Sequence, residues 1–119
     1  MSPEACLDEA AIDRLMQIGG REFVKKMLDL FLSYVPQKLA EARAAERIGD
    51  LQKVREAVHP IKSSAGNIGA IPMRDLAARL EQCAQENQRE PAGRLMSELE
   101  TACGEVMVRL QERRKQLDH

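Results

Sequence analysis

Aromatic residues are nearly missing from this chain of 119 residues: it has no tryptophan, one tyrosine and two phenylalanines. A core must then be built from Leu, Ile, Val, Met and Ala, which suits helix packed on helix better than stacked sheets. An excess of charge of either sign is also lacking. Eighteen basic and nineteen acidic residues leave a formal net charge of −1, which argues against nucleic-acid binding, because a phosphate backbone is met by a basic stripe. The densest basic run, Arg113-Arg114-Lys115, is what a helix C-terminus favours by itself. The three cysteines, Cys6, Cys83 and Cys103, form no C-x-x-C pair. Neither a disulfide framework nor a zinc site is expected, and a reducing cytoplasm fits. No apolar run approaches the ~20 residues needed to span a bilayer. Glu4, Asp8 and Glu9 stand where a signal peptide would carry positive charge. The reading is a cytoplasmic chain with no membrane partner.

What is present is helical periodicity over one domain's length. Asp8 is a good N-cap for a short helix over about 8–18, with Ile12, Leu15 and Met16 or Ile18 on one side and Gly19-Gly20 ending it. From Arg21 to about Ile48, Val24, Met27 or Leu28, Phe31, Val35, Leu39 and Ala42 recur at three- and four-residue steps. Pro36 interrupts this stretch and should kink one helix rather than divide it. Gly49 closes it and Asp50 caps the next, which runs over about 51–68 with Leu51, Val54, Val58, Ile61, Ala65 and Ile68 inward. Pro72 suits the first turn of a helix over about 72–87, with Met73, Leu76, Ala77, Leu80 and Ala84 inward. Asn87 to Gly93, with Pro91, reads as a loop. A last helix over about 94–117 carries Leu95, Leu99, Ala102 or Cys103, Val106 and Leu110. No segment alternates long enough for a strand. The fold class is all-α: an antiparallel up-and-down four-helix bundle with a short N-terminal capping helix, forming one domain over 1–119.

The stretch Ala57–Ala70, AVHPIKSSAGNIGA, carries the chemistry. At about 100° per residue, its apolar stripe lies nearly opposite His59, while Arg55, Lys62, Ser63 and Gly66 fall within roughly 60° of it. The imidazole therefore faces solvent. Lys62 can place an ammonium near whatever the ring carries. Ser63, Ser64, Ala65 and Gly66 strip the next turns of bulk, at about 1 kcal/mol of helix propensity for the glycine. A partner approaching the histidine closely would explain that cost, but small residues also permit close helix packing and exposed histidines near lysines are common. The wheel alone leaves both readings open. Glu81, beside the Met73/Ala77/Leu80/Ala84 stripe, reads on its own as a solvated glutamate.

The pattern His59-x-x-Lys62-Ser63-Ser64-x-x-x-x-Gly69-Ala70 resembles the signature of histidine-containing phosphotransfer (HPt) domains. The resemblance extends to Leu7-Asp8 before a short helix ended by Gly19-Gly20, to Phe31, to Gly49-Asp50-Leu51 and to Leu80-Glu81, and so covers most of the chain. It implies a phosphorelay intermediate in which His59 takes a phosphoryl group from a receiver-domain phosphoaspartate and passes it to another receiver. Lys62 would offset the phosphate charge, Glu81 would hold the second ring nitrogen, and Arg55, Ser63 and Gly66 would meet the partner. The implied partners are receiver domains of hybrid sensor kinases and response regulators, with no nucleic acid and a monomeric carrier. Neutral imidazole, which titrates near about 6.5 in the free side chain, is the nucleophilic form. A phosphate loop of the G-x-x-x-x-G-K-[ST] type is absent, so neither kinase activity nor a cofactor of its own is expected, and Mg2+ should belong to the partner receiver. Pro60 departs from the pattern: directly after His59, it should loosen one turn, leaving the Glu56 carbonyl to water, without breaking the helix. Two other functions fit the residues: a pseudo-HPt docking protein that is never phosphorylated, and a small helical enzyme using His59 as general base.

Overall fold

Three short turns and one glycine break divide the chain into its packing units. In the computed structural model, which describes residues 6–118, four helices follow one another: α1 (Glu9–Arg47), α2 (Leu51–Ile68), α3 (Ile71–Gln85) and α4 (Arg89–Gln116). Glu4 lies outside the described residues. Each helix packs on those before and after it, and α4 returns to α1 to close the ring. Among the described residues there is no strand, and no helix is long and apolar enough to cross a membrane. The architecture is the all-α bundle expected from the periodicity.

The inward stripes agree in detail. Val24, Leu28, Phe31, Val35 and Ala42 are buried on α1, with all six stripe residues of α2. Met73, Ala77, Leu80 and Ala84 follow on α3, and Leu95, Leu99, Cys103, Val106 and Leu110 on α4. No polar or charged residue among those described is buried, so the core is an apolar filling without an internal ionic network. Burial alone pushes the Cys103 thiol up to about 11, which leaves it protonated and unreactive.

Two boundaries and the facing of one residue differ from the expectation. The capping helix and the long helix run on without a loop, because the break is a single residue: Gly20 at φ 83°, ψ 179°. That is a conformation open in practice to glycine only. Ile18, offered as an inward residue, is 80% exposed, and Met16 packs against the core instead. The expected loop over Asn87–Gly93 shrinks to a tight turn in which Asn87 takes φ 58°, and α4 begins at Arg89. Pro91 then lies in the first turn of α4, where its missing N–H costs no helix bond. Pro36 and Pro60 both sit inside helices that keep helical dihedrals around them.

The N-terminal segment is tied to the α2–α3 turn. Asp8 caps α1 by accepting from the Ala10 amide at 3.1 Å, and its own amide donates to the Gly69 carbonyl at 2.8 Å. Gly69, the left-handed C-cap of α2 at φ 84°, is doubly constrained. A Cβ there would meet the Ala11 Cβ at 2.6 Å and the Asp8 carbonyl at 3.0 Å. The Gly69-Ala70 end of the α2 pattern thus serves packing rather than chemistry.

Candidate functional site around His59

α2 places His59 on its outer face because Val58 and Ile61, on either side, are both fully buried. The imidazole is 62% exposed. Its Nδ1 lies 2.6 Å from Glu81 Oε2, and the other oxygen of that carboxylate, Oε1, accepts from Lys62 Nζ at 2.5 Å. Glu81 itself is only 16% exposed. It comes from α3, one residue past the buried Leu80, which turns its side chain towards the seam with α2. Burial pushes the Glu81 carboxyl up, but the hydrogen bonds from Lys62 and then His59, with their charges, outweigh it and hold the group below the usual carboxylate range. An ionised Glu81 can only accept, so Nδ1 carries the proton and donates, and in the neutral ring this leaves the lone pair on Nε2. One carboxylate therefore fixes both the orientation and the tautomer of an otherwise exposed ring.

The structure brings the other sequence-selected residues to the same face. Arg55, one turn before the histidine, lines with Glu56, His59 and Glu81 a shallow concavity of about 360 Å³. The exposed Ser63 hydroxyl donates back to the His59 carbonyl at 3.5 Å. At Gly66 the finding is more specific than low relief. A Cβ there would meet Arg74 Cδ at 3.3 Å, so the aliphatic stem of an α3 arginine lies over the bare backbone. Among the described residues no cluster of three or more His, Cys, Asp or Glu could hold a metal ion.

Two features escaped the sequence reading. Arg74 is one, since its contact with Gly66 depends on how α3 is rotated against α2. The other is an apolar groove of about 310 Å³ where α1 meets α2, lined by Met27, Leu30, Phe31, Tyr34, Ser64, Asn67 and Ile68. Leu30 is 66% and Tyr34 39% exposed. A signal for it was available: Phe23, Met27, Leu30 and Tyr34 form a second apolar stripe beside the buried one, wider than one packed face requires.

Fold and site together define a small helical bundle that presents one oriented, solvent-facing imidazole at the α2–α3 seam and an apolar groove between α1 and α2. The chain belongs to the Hpt domain family, whose family model matches residues 26–112. It is 24% identical over 104 residues to histidine-containing phosphotransfer protein 2 of Arabidopsis thaliana, an alignment covering 85% of this chain and 67% of the plant protein. Its fold matches the crystal structure of histidine-containing phosphotransfer protein B from Pseudomonas aeruginosa PAO1 with a TM-score of 0.88 at 24% identity, over 93% of this chain and 96% of that one. Family membership supports a phosphotransfer role in two-component signalling.

Proposed function

We propose that the chain is a phosphorelay intermediate in which His59 accepts a phosphoryl group from an aspartyl phosphate on one receiver domain and delivers it to another. The observation that carries this is the pairing of His59 Nδ1 with Glu81 Oε2 at 2.6 Å on a ring that is 62% exposed. A nitrogen lone pair open to solvent, on a ring oriented by a carboxylate, is what an incoming phosphoryl group requires. In the transfer the Nε2 lone pair forms the N–P bond as the P–O bond to the donor aspartate breaks, and the carboxylate leaves. Nδ1 keeps its proton towards Glu81, which stabilises the positive charge the ring acquires. Lys62 keeps Glu81 ionised and adds a positive charge near a group that brings about −1.5 to −2.

This division of labour leaves the metal to the partner. The receiver would supply the acidic pocket and Mg2+, and this chain the nucleophile, with positioning and charge stabilisation carrying the catalysis. The groove of Met27, Leu30, Phe31 and Tyr34 beside α2 supports docking of a protein surface, since a small phosphodonor has no use for it. The same exposed ring serves donor and acceptor in turn, so the two receivers compete for one face of one protomer.

Incubation with a phosphorylated receiver domain tests the reading. The chain should acquire an acid-labile, base-stable phosphoryl group and lose it to a second receiver, and His59→Gln should take none. Equal labelling of His59→Gln and the parent would overturn it. Binding of receivers without labelling would make the chain a docking protein instead.

A further inference from the structure

Lys62, the cation expected to meet the phosphoryl group, is already engaged. Its Nζ is 2.5 Å from Glu81 Oε1, and its hydrogen bond is the foremost of those that keep the Glu81 carboxylate charged against burial. Drawing Lys62 off to a phosphoryl group would weaken Glu81 at the moment when the phosphorylated ring most needs it. A second cation shares the face. Arg55 precedes His59 by one helical turn on the same face, about 6 Å along the axis, within the span of an arginine side chain. It shares with His59 the concavity beside the ring, and it makes no hydrogen bond or ion pair with any described residue.

The acidic groups around that concavity are accounted for. Glu81 is held by Lys62 and His59. Glu56 Oε1 accepts from Gln52 Nε2 at 3.4 Å, which turns its carboxylate back towards the preceding turn. An anion entering beside the imidazole therefore meets one uncommitted cation, and that cation is a guanidinium, whose planar fork can donate to two phosphoryl oxygens at once.

We propose that Arg55 is the phosphoryl-binding residue of this site: its guanidinium closes on the phosphoryl group carried by His59 Nε2, while Lys62 remains on Glu81. The proposal rests on the reading of His59 as a phosphocarrier, and it gives Arg55 a contact with the transferred group beyond any contact with the partner's surface.

Chemical phosphorylation separates the two ideas because it removes the receiver. Phosphoramidate donates to imidazole with cleavage of its P–N bond and departure of ammonia, and His59→Gln measures the background from His119. The labelled parent, Arg55→Gln, Arg55→Lys and Lys62→Gln are compared by the pH titration of the phosphoryl phosphorus resonance and by the half-life of the phosphohistidine. Lys53→Gln controls for loss of a positive charge elsewhere on α2. Arg55→Gln should move the phosphoryl titration to higher pH, more than Lys62→Gln does, because a neighbouring cation favours the more ionised phosphoryl form. It should also shorten the half-life roughly three- to tenfold, the scale of one charge-assisted contact at a partly open site. Arg55→Lys should recover part of both effects, and Lys53→Gln should match the parent. Arg55 touches no core residue through an ion pair or hydrogen bond, and circular dichroism checks that the variants stay folded. If Arg55→Gln titrates and decays like the parent, the proposal is overturned, whether or not Lys62→Gln changes. Slow transfer from a receiver with normal chemical phosphohistidine would also overturn it and make Arg55 a docking residue. A parent that labels chemically but exchanges with no receiver would overturn the relay reading and leave Arg55 standing. A parent that takes no label at His59 would overturn both.

Discussion

A single carboxylate decides the behaviour of the site at the scale of the residue. Glu81 lies at the edge of the core, 16% exposed, and its charge is sustained by Lys62 and His59 against the cost of burial. A carboxyl group held low in the folded chain stabilises the fold at pH above the ordinary carboxylate range, and that contribution drains away as pH falls through the folded value. Glu81→Gln keeps the size and an acceptor for Nδ1 but loses the charge. Near neutral pH it should cost about 1–2 kcal/mol, below the usual worth of hydrogen bonds between charged groups because both partners are partly exposed. Urea midpoints taken from neutral pH down to about pH 3 should show the gap between variant and parent closing as the parent's carboxylate is protonated. Glu100 and Asp118 are also held low, Glu100 chiefly by Arg43 and Asp118 chiefly by Arg114. They titrate in both proteins, so the difference curve isolates Glu81. This is also the scale at which the sequence was least complete. That His59, Lys62 and Ser63 share a face follows from helical spacing on one helix. That Glu81 reaches the ring, and that Arg74 covers Gly66, follows from the rotation of α3 against α2, which depends on every side chain in that seam together. A family pattern could point to Glu81; periodicity alone left it a surface glutamate.

Element by element, the stripes settled which face turned inward, while glycine and proline marked where the chain departs from a simple helix. Gly19-Gly20, expected to end a helix, holds a one-residue break instead, because a glycine in a positive-φ extended conformation kinks the chain without needing a loop. Gly20→Ala cannot hold φ 83°, ψ 179° without strain of about 1–3 kcal/mol. The melting temperature should fall, and hydrogen exchange at the Asp8 amide, which donates to the Gly69 carbonyl, should speed up as the capping segment loosens. If stability is unchanged, the segment does not depend on this break. Pro60 is the opposite case: a residue poorly suited to its element that the element nonetheless accommodates. It leaves the Glu56 carbonyl without its helix partner on the solvent side, where water can serve. Pro60→Ala restores the amide and should raise stability by about 1–2 kcal/mol, less than the full ~3 kcal/mol of an interior proline because the unfolded chain gains freedom as well. Denaturant unfolding reads this directly. Transfer rates with Pro60→Ala then tell whether the proline beside His59 serves the proposed chemistry or is only tolerated.

Across the whole molecule, α1 and α4 must meet for the bundle to close, and ion pairs mark that seam at three levels. Near the capping segment Arg109 and Arg113 hold Glu9, and Arg113 also reaches Asp13. Further along, Arg114 bridges to Asp29, while Lys25 pairs with Asp118. At the far end Arg43 donates to Glu46, Glu100 and Ser97 together. Most of these are surface pairs of small individual worth, and salt should weaken them without unfolding the chain. Arg43 differs because the group is 19% exposed and Glu46 16%, so removing the guanidinium strands a half-buried carboxylate as well as cutting the tie between helices. Hydrogen bonds from Arg43 raise its own affinity for the proton and hold Glu100 low, as expected of a network that remains charged throughout the working pH range. Arg43→Met preserves the aliphatic stem and should lower stability by about 1–3 kcal/mol, the scale for leaving a partly buried charged group unpaired. Adding Glu46→Gln should return part of that loss, since the stranded charge is then gone. The network shares no residue with the His59 site, so phosphoryl exchange at a temperature where the variant is fully folded should match the parent. A loss of exchange in folded Arg43→Met would mean that the transfer surface depends on the closure of the ring at its far side, and not on α2 and α3 alone.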